Sequence, residues 1–401
     1  MPKNIWVINQ FAGNPESGWG ERHYYLSKKW LKDGYDVKII SGSFNHMFSR
    51  LPETNGQFTL EKYEGTQFCW VKSPTYDPKS IMRFLSMIIF SFKVLFLPKN
   101  KLGKPDVIVV SSMPIFPILS GWILKKIHGA EKLIFEIRDI WPLTIIHLRG
   151  ITRWHPLAMF IGFFEKFGYR RSDFVVSLLP NAHKHINAIT KNIDKIKIIP
   201  NGISESLLKE EQLPNEVADL IPNNKFLIGY TGTISLANAL EFLVDAARLC
   251  IDNKEINFVL VGSGYLKKEL QKQCTDLDNI IFIPKIRKDQ VQSILRLFDV
   301  CFIGRNDTPL FDHGVSSNKY FDYMLAGKPV IVSSNRIKDP VELSGCGLIV
   351  KPESAEAIKT GLLHLYKMSE KERLKLGIKG IEYVKLYHTY DKLSDKYKAL
   401  F

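Results

Sequence analysis

The sequence predicts an α/β protein built from two Rossmann-like, doubly wound domains facing a cleft. Short β-branched runs alternate with longer helical patterns from end to end, which implies parallel sheets covered by helices on both faces. Twelve strand candidates are too many for one open sheet of usual size, and they fall into two sets of six. At about 150 residues per domain, the 401 residues suit two or three domains.

The first set of strands is Ile5–Ile8, Val37–Ile40, Val107–Val110, Leu133–Ile137, Phe174–Leu178 and Ile196–Ile199. The second is Phe226–Gly229, Phe258–Val261, Ile280–Ile283, Val300–Ile303, Val330–Val332 and Leu348–Val350. Helical patterns such as Arg22–Asp33, Glu241–Cys250 and Ala355–Lys367 lie between them. The break falls at Pro200-Asn201-Gly202, and the polar stretch Ser204 to Asn224, with Pro214 and Pro222, reads as an interdomain connection. This gives an N-terminal domain over 1–203, a C-terminal domain over 204–380, and a helix over 381–401 expected to pack back toward the first domain. Two such domains would place the carboxyl ends of both sheets on a shared cleft, where doubly wound folds bind ligands.

Composition narrows the function. With 45% hydrophobic and 24% charged residues the chain is globular rather than disordered. A net charge of +14 favours an anionic partner: nucleic acid, an acidic membrane surface or a phosphorylated substrate. Cys69, Cys250, Cys274, Cys301 and Cys346 are widely spaced with no C-x-x-C, so neither a disulfide framework nor a zinc site is expected. No D-x-D and no His/Cys cluster suggests a metal. The N-terminus lacks a signal-peptide pattern, and Arg83 and Lys93 interrupt the apolar stretch Ile81–Leu97, so the expectation is a cytoplasmic protein with a lean toward a membrane surface.

Four loops carry chemistry. Gly18 and Gly20, between the first strand and helix, let backbone approach a ligand ahead of free helix N–H groups, although a plain strand-to-helix turn reads equally well. Glu136-Ile137-Arg138-Asp139-Ile140-Trp141-Pro142 closes a hydrophobic strand with three charges and a rigid turn. Its plain alternative is a surface ion pair of Arg138 with Glu136 or Asp139, contributing about 0–1 kcal/mol. Gly232 and Thr233 follow the first strand of the second half, where a doubly wound domain binds phosphate, and Gly262-Ser263-Gly264 repeats the pattern after the next strand.

The fourth and most specific block runs from Asp312 to Ile331. Ser316 or Ser317 is a plausible N-cap, which leaves the backbone N–H groups of Ser317, Asn318 and Lys319 for a diphosphate. Lys319 and Asp322 share a helix face near its start: a cation for phosphate and a carboxylate for ribose hydroxyls would suit a nucleotide, and an i, i+3 ion pair is the structural alternative.

Together these residues resemble the retaining glycosyltransferases of family 4, which have the GT-B architecture, and more narrowly the bacterial O-antigen and capsule branch. The supporting pieces are the Gly18–Gly20 loop, Arg138-Asp139-x-Trp141-Pro142, Ile199-Pro200-Asn201-Gly202, Tyr230-x-Gly232 and, above all, Ser316 to Pro329. The resemblance implies a UDP-sugar donor, with the transferred sugar a hexose or an N-acetylated amino sugar, and a polyprenyl-diphosphate-linked saccharide acceptor. It implies no metal and no further cofactor. Ser317 to Lys319, with Gly232 and Thr233, would take the diphosphate, and Asp322 would match the second acid of the E-x7-E motif that holds the ribose. Lys285 and Ile286 would lie in the loop that reads the base, and His313, Gly314 and Val315, next to Ser316, would face the donor sugar. Asp139, beside Arg138, would lie near the acceptor and the transferring sugar.

Two departures stand out. Gly314 occupies the position of the family's first glutamate, and Thr233 to Ala239 reads T-I-S-L-A-N-A where a basic pair often stands. Diphosphate charge would then fall on Lys319, with Arg305 or Arg22 in support. The rival readings are an NAD-type oxidoreductase, for which a complete G-x-G-x-x-G is missing, and a nucleic-acid-binding protein, for which the basic residues are too dispersed and Lys267-Lys268 reads as a solvated face. Aromatic and basic residues in Ile81–Lys93 and Met159–Arg171 suit peripheral contact with the anionic inner-membrane surface.

Overall fold

A computed structural model describes residues 2–204, 211–335 and 338–401. The chain divides into two compact units, Met1–Asn201 with Tyr390–Phe401, and Gly202–Thr389. Of the polar connection expected at Ser204 to Asn224, residues 205–210 lie outside the described residues.

The first unit contains β1 (Asn4–Ile8), β2 (Asp36–Gly42), β3 (Phe58–Tyr63), β4 (Thr66–Val71), β5 (Val107–Ser111), β6 (Lys132–Ile137), β7 (Phe174–Ser177) and β8 (Ile196–Ile198). They form one sheet in the order β3-β4-β2-β1-β5-β6-β7-β8, parallel except for the β3–β4 pair. The sheet has eight strands where six were expected, because the edge hairpin β3–β4 was not anticipated. Its two-residue turn, Glu64-Gly65, takes positive φ at both positions (43° and 89°), as a type I′ turn requires, but lacks the Asn-Gly or Asp-Gly signal that announces one. Helices cover both faces. Arg22–Lys32 packs Tyr24, Leu26 and Trp30 on one side, and Ile81–Val94 and Pro117–His128 pack Met87, Phe90, Ile118 and Leu124 on the other.

The helical end of the chain is split. Glu370–Tyr387 belongs to the second unit, and Tyr390–Lys398 lies against Arg22–Lys32 of the first, with Tyr390 stacked on Tyr25 at 5.1 Å and Tyr397 edge-on to Trp30 at 5.4 Å.

The second unit holds β9 (Phe226–Thr231), β10 (Ile256–Val261), β11 (Ile280–Ile283), β12 (Val300–Ile303), β13 (Val330–Ser333) and β14 (Gly347–Val350). All are parallel, in the order β11-β10-β9-β12-β13-β14. Near-continuous apolar runs explain the parallel arrangement, since the four inner strands are buried on both faces and only the edge strands β11 and β14 are half-buried. Strand order reverses between β9 and β12, so the crevice beyond the carboxyl ends of those two strands is where this fold takes ligands.

Candidate active site

The predicted phosphate loop and the predicted nucleotide helix meet at that crevice. Gly232 directly follows β9 with φ 146°, and a Cβ added there would stand 2.4 Å from Lys319 Cε. Only glycine lets the lysine lie this close to the loop. Gly262 stands at the equivalent place after β10 with φ 148°, and a Cβ on it would stand 1.9 Å from the Gly232 carbonyl oxygen. The glycine-lined crevice is therefore a stack of loops in backbone contact.

The helix Asn318–Leu325 begins at Ser317, whose extended backbone forms the N-cap without a side-chain capping bond. Its inner face anchors it to β9: Tyr323 Oη accepts from Thr231 N at 2.8 Å and donates to Thr231 O at 3.2 Å. Lys319 points over the Tyr230 ring, 5.3 Å from its centroid, and donates to Asn238 Oδ1 at 2.9 Å. Desolvation, reinforced by Arg305 and opposed by Asp322, pulls the Lys319 ammonium down to about 8. Arg305, two residues beyond β12, is buried and pairs with Tyr320 and Asp339.

The i, i+3 ion pair of Lys319 with Asp322, the structural alternative, does not form. Asp322, buried apart from a small exposed fraction, accepts from Lys288 Nζ at 2.7 and 2.6 Å through its two oxygens. Lys288 directly follows the segment Ile283–Arg287 expected to read the base, so Asp322 is tied to the residue next to that segment. Within that segment Lys285 is exposed, and Ile286 packs against the core. The preceding turn Pro309–His313 ends at Gly314, which stands at φ 84°, ψ 178°. This conformation strains any side-chain-bearing residue, so the departure from glutamate is built into the backbone. His313, Val315, Ser316 and Thr233 line the same run of loops, the first three half-buried and Thr233 exposed.

Four expectations need correction or refinement. Arg22 is not available to a diphosphate. It is buried, with Nε donating to Glu136 at 3.0 Å and its terminal nitrogens to the carbonyls of Ile199 and Pro200 at 2.9 and 2.6 Å. Glu136 does not pair with Arg138, because its carboxylate is fully buried and also holds His23 Nε2 at 3.0 Å, Ser111 Oγ at 2.8 Å and Tyr397 Oη. Burial pushes the Glu136 carboxyl up, but Arg22 and His23 outweigh it and hold the group well below the carboxylate range. Burial likewise lowers His23, so its neutral ring donates from Nε2 to Glu136 and accepts at Nδ1 from Asn9. Lys267 is no solvated face, since its ammonium caps the carbonyls of Gly262 and Ile283 at 3.0 and 2.9 Å. Gly18 and Gly20 take φ of 66° and 77°, and a Cβ on Gly20 would stand 2.2 Å from the Phe11 carbonyl, so the turn alone requires that glycine.

Arg138 and Asp139 remain at the carboxyl end of β6. Arg138 N donates to Ser112 Oγ at 3.1 Å, and the Asp139 side chain is exposed. These two residues and the Gly18–Gly20 loop belong to the first unit, and the Gly232–Lys319–Asp322 group to the second. Asn238, Lys288 and Tyr323 were not foreseen beside these residues, and Tyr230 entered only through the Tyr230-x-Gly232 pattern. An Asn and a Lys in polar loops carry no periodic or motif signal; only their tertiary neighbours reveal them.

Comparison with known proteins bears on the second unit and on the fold. Residues 225–368 match the family described as glycosyl transferases group 1. Over 355 residues the chain is 24% identical to WcaI of Escherichia coli K12, whose name assigns it to colanic acid biosynthesis as a glycosyl transferase, covering 83% of this chain and 85% of WcaI. Sucrose-phosphate synthase from Thermosynechococcus elongatus superposes with a TM-score of 0.74 at 16% identity, over 99% of this chain and 98% of that one. HepE from Anabaena, solved in complex with UDP and glucose, gives 0.69 at 13% identity over 99% and 98%. With a glycosyl transferases group 1 domain over residues 225–368 and the GT-B fold, the chain is similar to glycosyltransferases in both domain and architecture.

Proposed function

We propose that the enzyme transfers a hexose or an N-acetylated hexosamine from a UDP-sugar to a polyprenyl-diphosphate-linked saccharide, with retention of anomeric configuration and without a divalent cation, in surface-polysaccharide assembly. The observation that carries this reading is the half-buried Lys319 ammonium held against the Gly232 loop at the switch point of the second sheet. As the anomeric bond breaks, negative charge grows on the leaving diphosphate. Preorganised donors aimed at such charge are worth about 3–4 kcal/mol each. Lys319 and the backbone N–H groups at the start of Asn318–Leu325 supply them, and Asp322 takes the ribose hydroxyls. Asp139, a carboxylate at the end of β6, meets the acceptor hydroxyl or the positive charge on the sugar. UDP as the nucleotide is supported by the complexes of the Anabaena relative.

A lipid-linked acceptor asks for contact with the cytoplasmic face of the inner membrane. Among the described residues no helix is long and apolar enough to cross a membrane. The helix Ile81–Val94, however, turns Ile81, Leu85, Ile88 and Phe92 outward, 37–77% exposed at helical spacing, while it buries Ser86 and Ser91. Phe160 lies 6.5 Å from Phe84 and 5.7 Å from Phe116, which joins the helix Pro156–Arg171, with exposed Met159 and Phe163, to the same face. A groove of about 570 Å³ between Ile81–Val94 and β3 is lined by Phe58, Ile88, Phe92, Phe96 and Lys93. Between 72 and 101 six basic residues (Lys72, Lys79, Arg83, Lys93, Lys99, Lys101) face a single acid, Asp77. Such a surface suits reversible attachment to anionic lipid.

The test is a screen of UDP- and GDP-sugars against a polyprenyl-diphosphate disaccharide, with the product weighed by mass spectrometry, its anomeric coupling read by NMR, and EDTA added in parallel. Transfer from a UDP-sugar, unaffected by EDTA, is expected; transfer from GDP-sugars only, or inversion, overturns the corresponding part. Co-sedimentation with anionic vesicles at low salt, abolished by reversing Lys166, Arg170 and Arg171, checks the membrane contact.

A further inference from the structure

Asn238 closes the short turn Leu236–Asn238, inside the segment Thr233–Ala239 where the expected basic pair is missing. Its side chain is fixed before it reaches Lys319: Nδ2 donates to the Thr233 carbonyl at 2.8 Å and to Ser235 Oγ at 3.1 Å. Its backbone is fixed too. A Cβ on Gly304 would stand 2.4 Å from the Asn238 carbonyl oxygen, and buried Ala239 follows at φ 44°. A carbonyl on one side and an ammonium on the other settle which end of the amide is which.

What this amide does not do is cancel charge. The charged and titratable groups facing Lys319 are Arg305 from just beyond β12, Asp322 from its own helix and the Tyr230 hydroxyl-bearing ring from β9. The one acid among them, Asp322, spends both oxygens on Lys288. A carboxylate in place of the Asn238 amide would form an ion pair with Lys319 and blunt its field toward an incoming anion. We propose that Asn238 is a positioning residue of the donor site: it holds Lys319 Nζ against the Gly232 loop by a neutral acceptor, so that the ammonium's full charge remains for the donor diphosphate. This rests on the reading of Lys319 as the diphosphate's partner.

The variants are Asn238→Asp, nearly isosteric but charged, Asn238→Ala, Lys319→Met and Asn238→Asp combined with Lys319→Met. For each, UDP affinity is measured by calorimetry, kcat and KM for the donor from pH 6 to 9.5, and Tm. Asn238→Asp should weaken UDP binding about tenfold at pH 7.5 and move the alkaline limb of kcat/KM upward by about one pH unit, with Tm near wild type. Asn238→Ala should lower kcat at least about fivefold by loosening Lys319. In the Lys319→Met background, Asn238→Asp should cost far less affinity than it does alone, because the group it acts through is gone. Wild-type affinity and an unmoved alkaline limb in Asn238→Asp, with Lys319→Met impaired, would overturn the role of Asn238 and leave the donor site standing. Reduced affinity with an unmoved limb would reduce Asn238 to a loop tie and overturn it equally. Wild-type affinity and turnover in Lys319→Met would sink the donor-site assignment itself.

Discussion

Raising the pH should weaken nucleotide binding in a window where few other groups titrate. Lys319 in the free enzyme loses its proton near 8, because desolvation and the like charge of Arg305 outweigh Asp322. A nucleoside diphosphate is fully ionised above about pH 7, so its own charge is constant there. The protonated fraction of Lys319 falls from about 0.9 at pH 7 to about 0.1 at pH 9. If binding needs the ammonium, UDP affinity falls about tenfold over that interval, or about 1.4 kcal/mol, and complex formation at pH 8 takes up about half a proton. Calorimetry of UDP in buffers of different ionisation enthalpy reads both quantities, and Lys319→Met should bind weakly with a flat profile. Stability runs the other way. A lysine whose folded value is lowered costs stability while it is charged, so the ligand-free enzyme should gain about 1 kcal/mol between pH 7 and 9, and bound UDP should remove that gain. A dissociation constant unchanged within twofold from pH 7 to 9, with no proton uptake, would refute the reasoning.

Glu136→Gln leaves buried Arg22 without its counter-charge and should cost about 3 kcal/mol in urea unfolding of the first unit; a loss under 1 kcal/mol would mean that the Ile199 and Pro200 carbonyls suffice. Because the folded Glu136 carboxyl is held below its ordinary value, its contribution should be complete above about pH 5 and lost as the pH falls through that lowered folded value. Asp322→Ala should weaken UDP about tenfold or more by calorimetry; unchanged affinity would leave Asp322 and Lys288 as a purely structural pair. Gly262→Ala forces a methyl against the Gly232 carbonyl at positive φ, and should both destabilise by about 2 kcal/mol and lower UDP affinity through the displaced loop, as unfolding and titration would show. Asp139→Asn should lower kcat at least about tenfold with UDP affinity retained; a wild-type rate at saturating substrates would remove Asp139 from the chemistry.

Several of these residues were legible in the chain and others were not, for identifiable reasons. The strands β1, β2 and β5 to β14 were readable because parallel strands covered on both faces must be continuously apolar and β-branched. The hairpin β3–β4 was not, since an edge strand such as Phe58–Tyr63 is half-buried and its Glu64-Gly65 turn carries no strong code. Lys319 and Gly232 were readable because a glycine at a strand end and a cation after a capped helix start are local patterns. The plain alternative for Glu136, an ion pair with Arg138, fails for a reason no local pattern carries: its buried carboxylate is already taken by Arg22, His23, Ser111 and Tyr397, all distant in the chain.

The sequence by itself therefore determined what local chemistry determines: the alternation of strand and helix, the two sheets, the crevice-forming glycines and the helix start after Ser317, because each is written within a few adjacent residues. Which partner each charge takes was decided only by the tertiary structure. Asp322 lies one helical turn from Lys319 yet binds Lys288, 34 residues away. Arg22 closes on Glu136, 114 residues on, and Tyr397 reaches the same carboxylate from 261 residues away. The physical reason is that a long, flexible, charged side chain buried by folding settles where desolvation is best compensated, and the groups that compensate it are brought within reach by the sheet order and not by the chain.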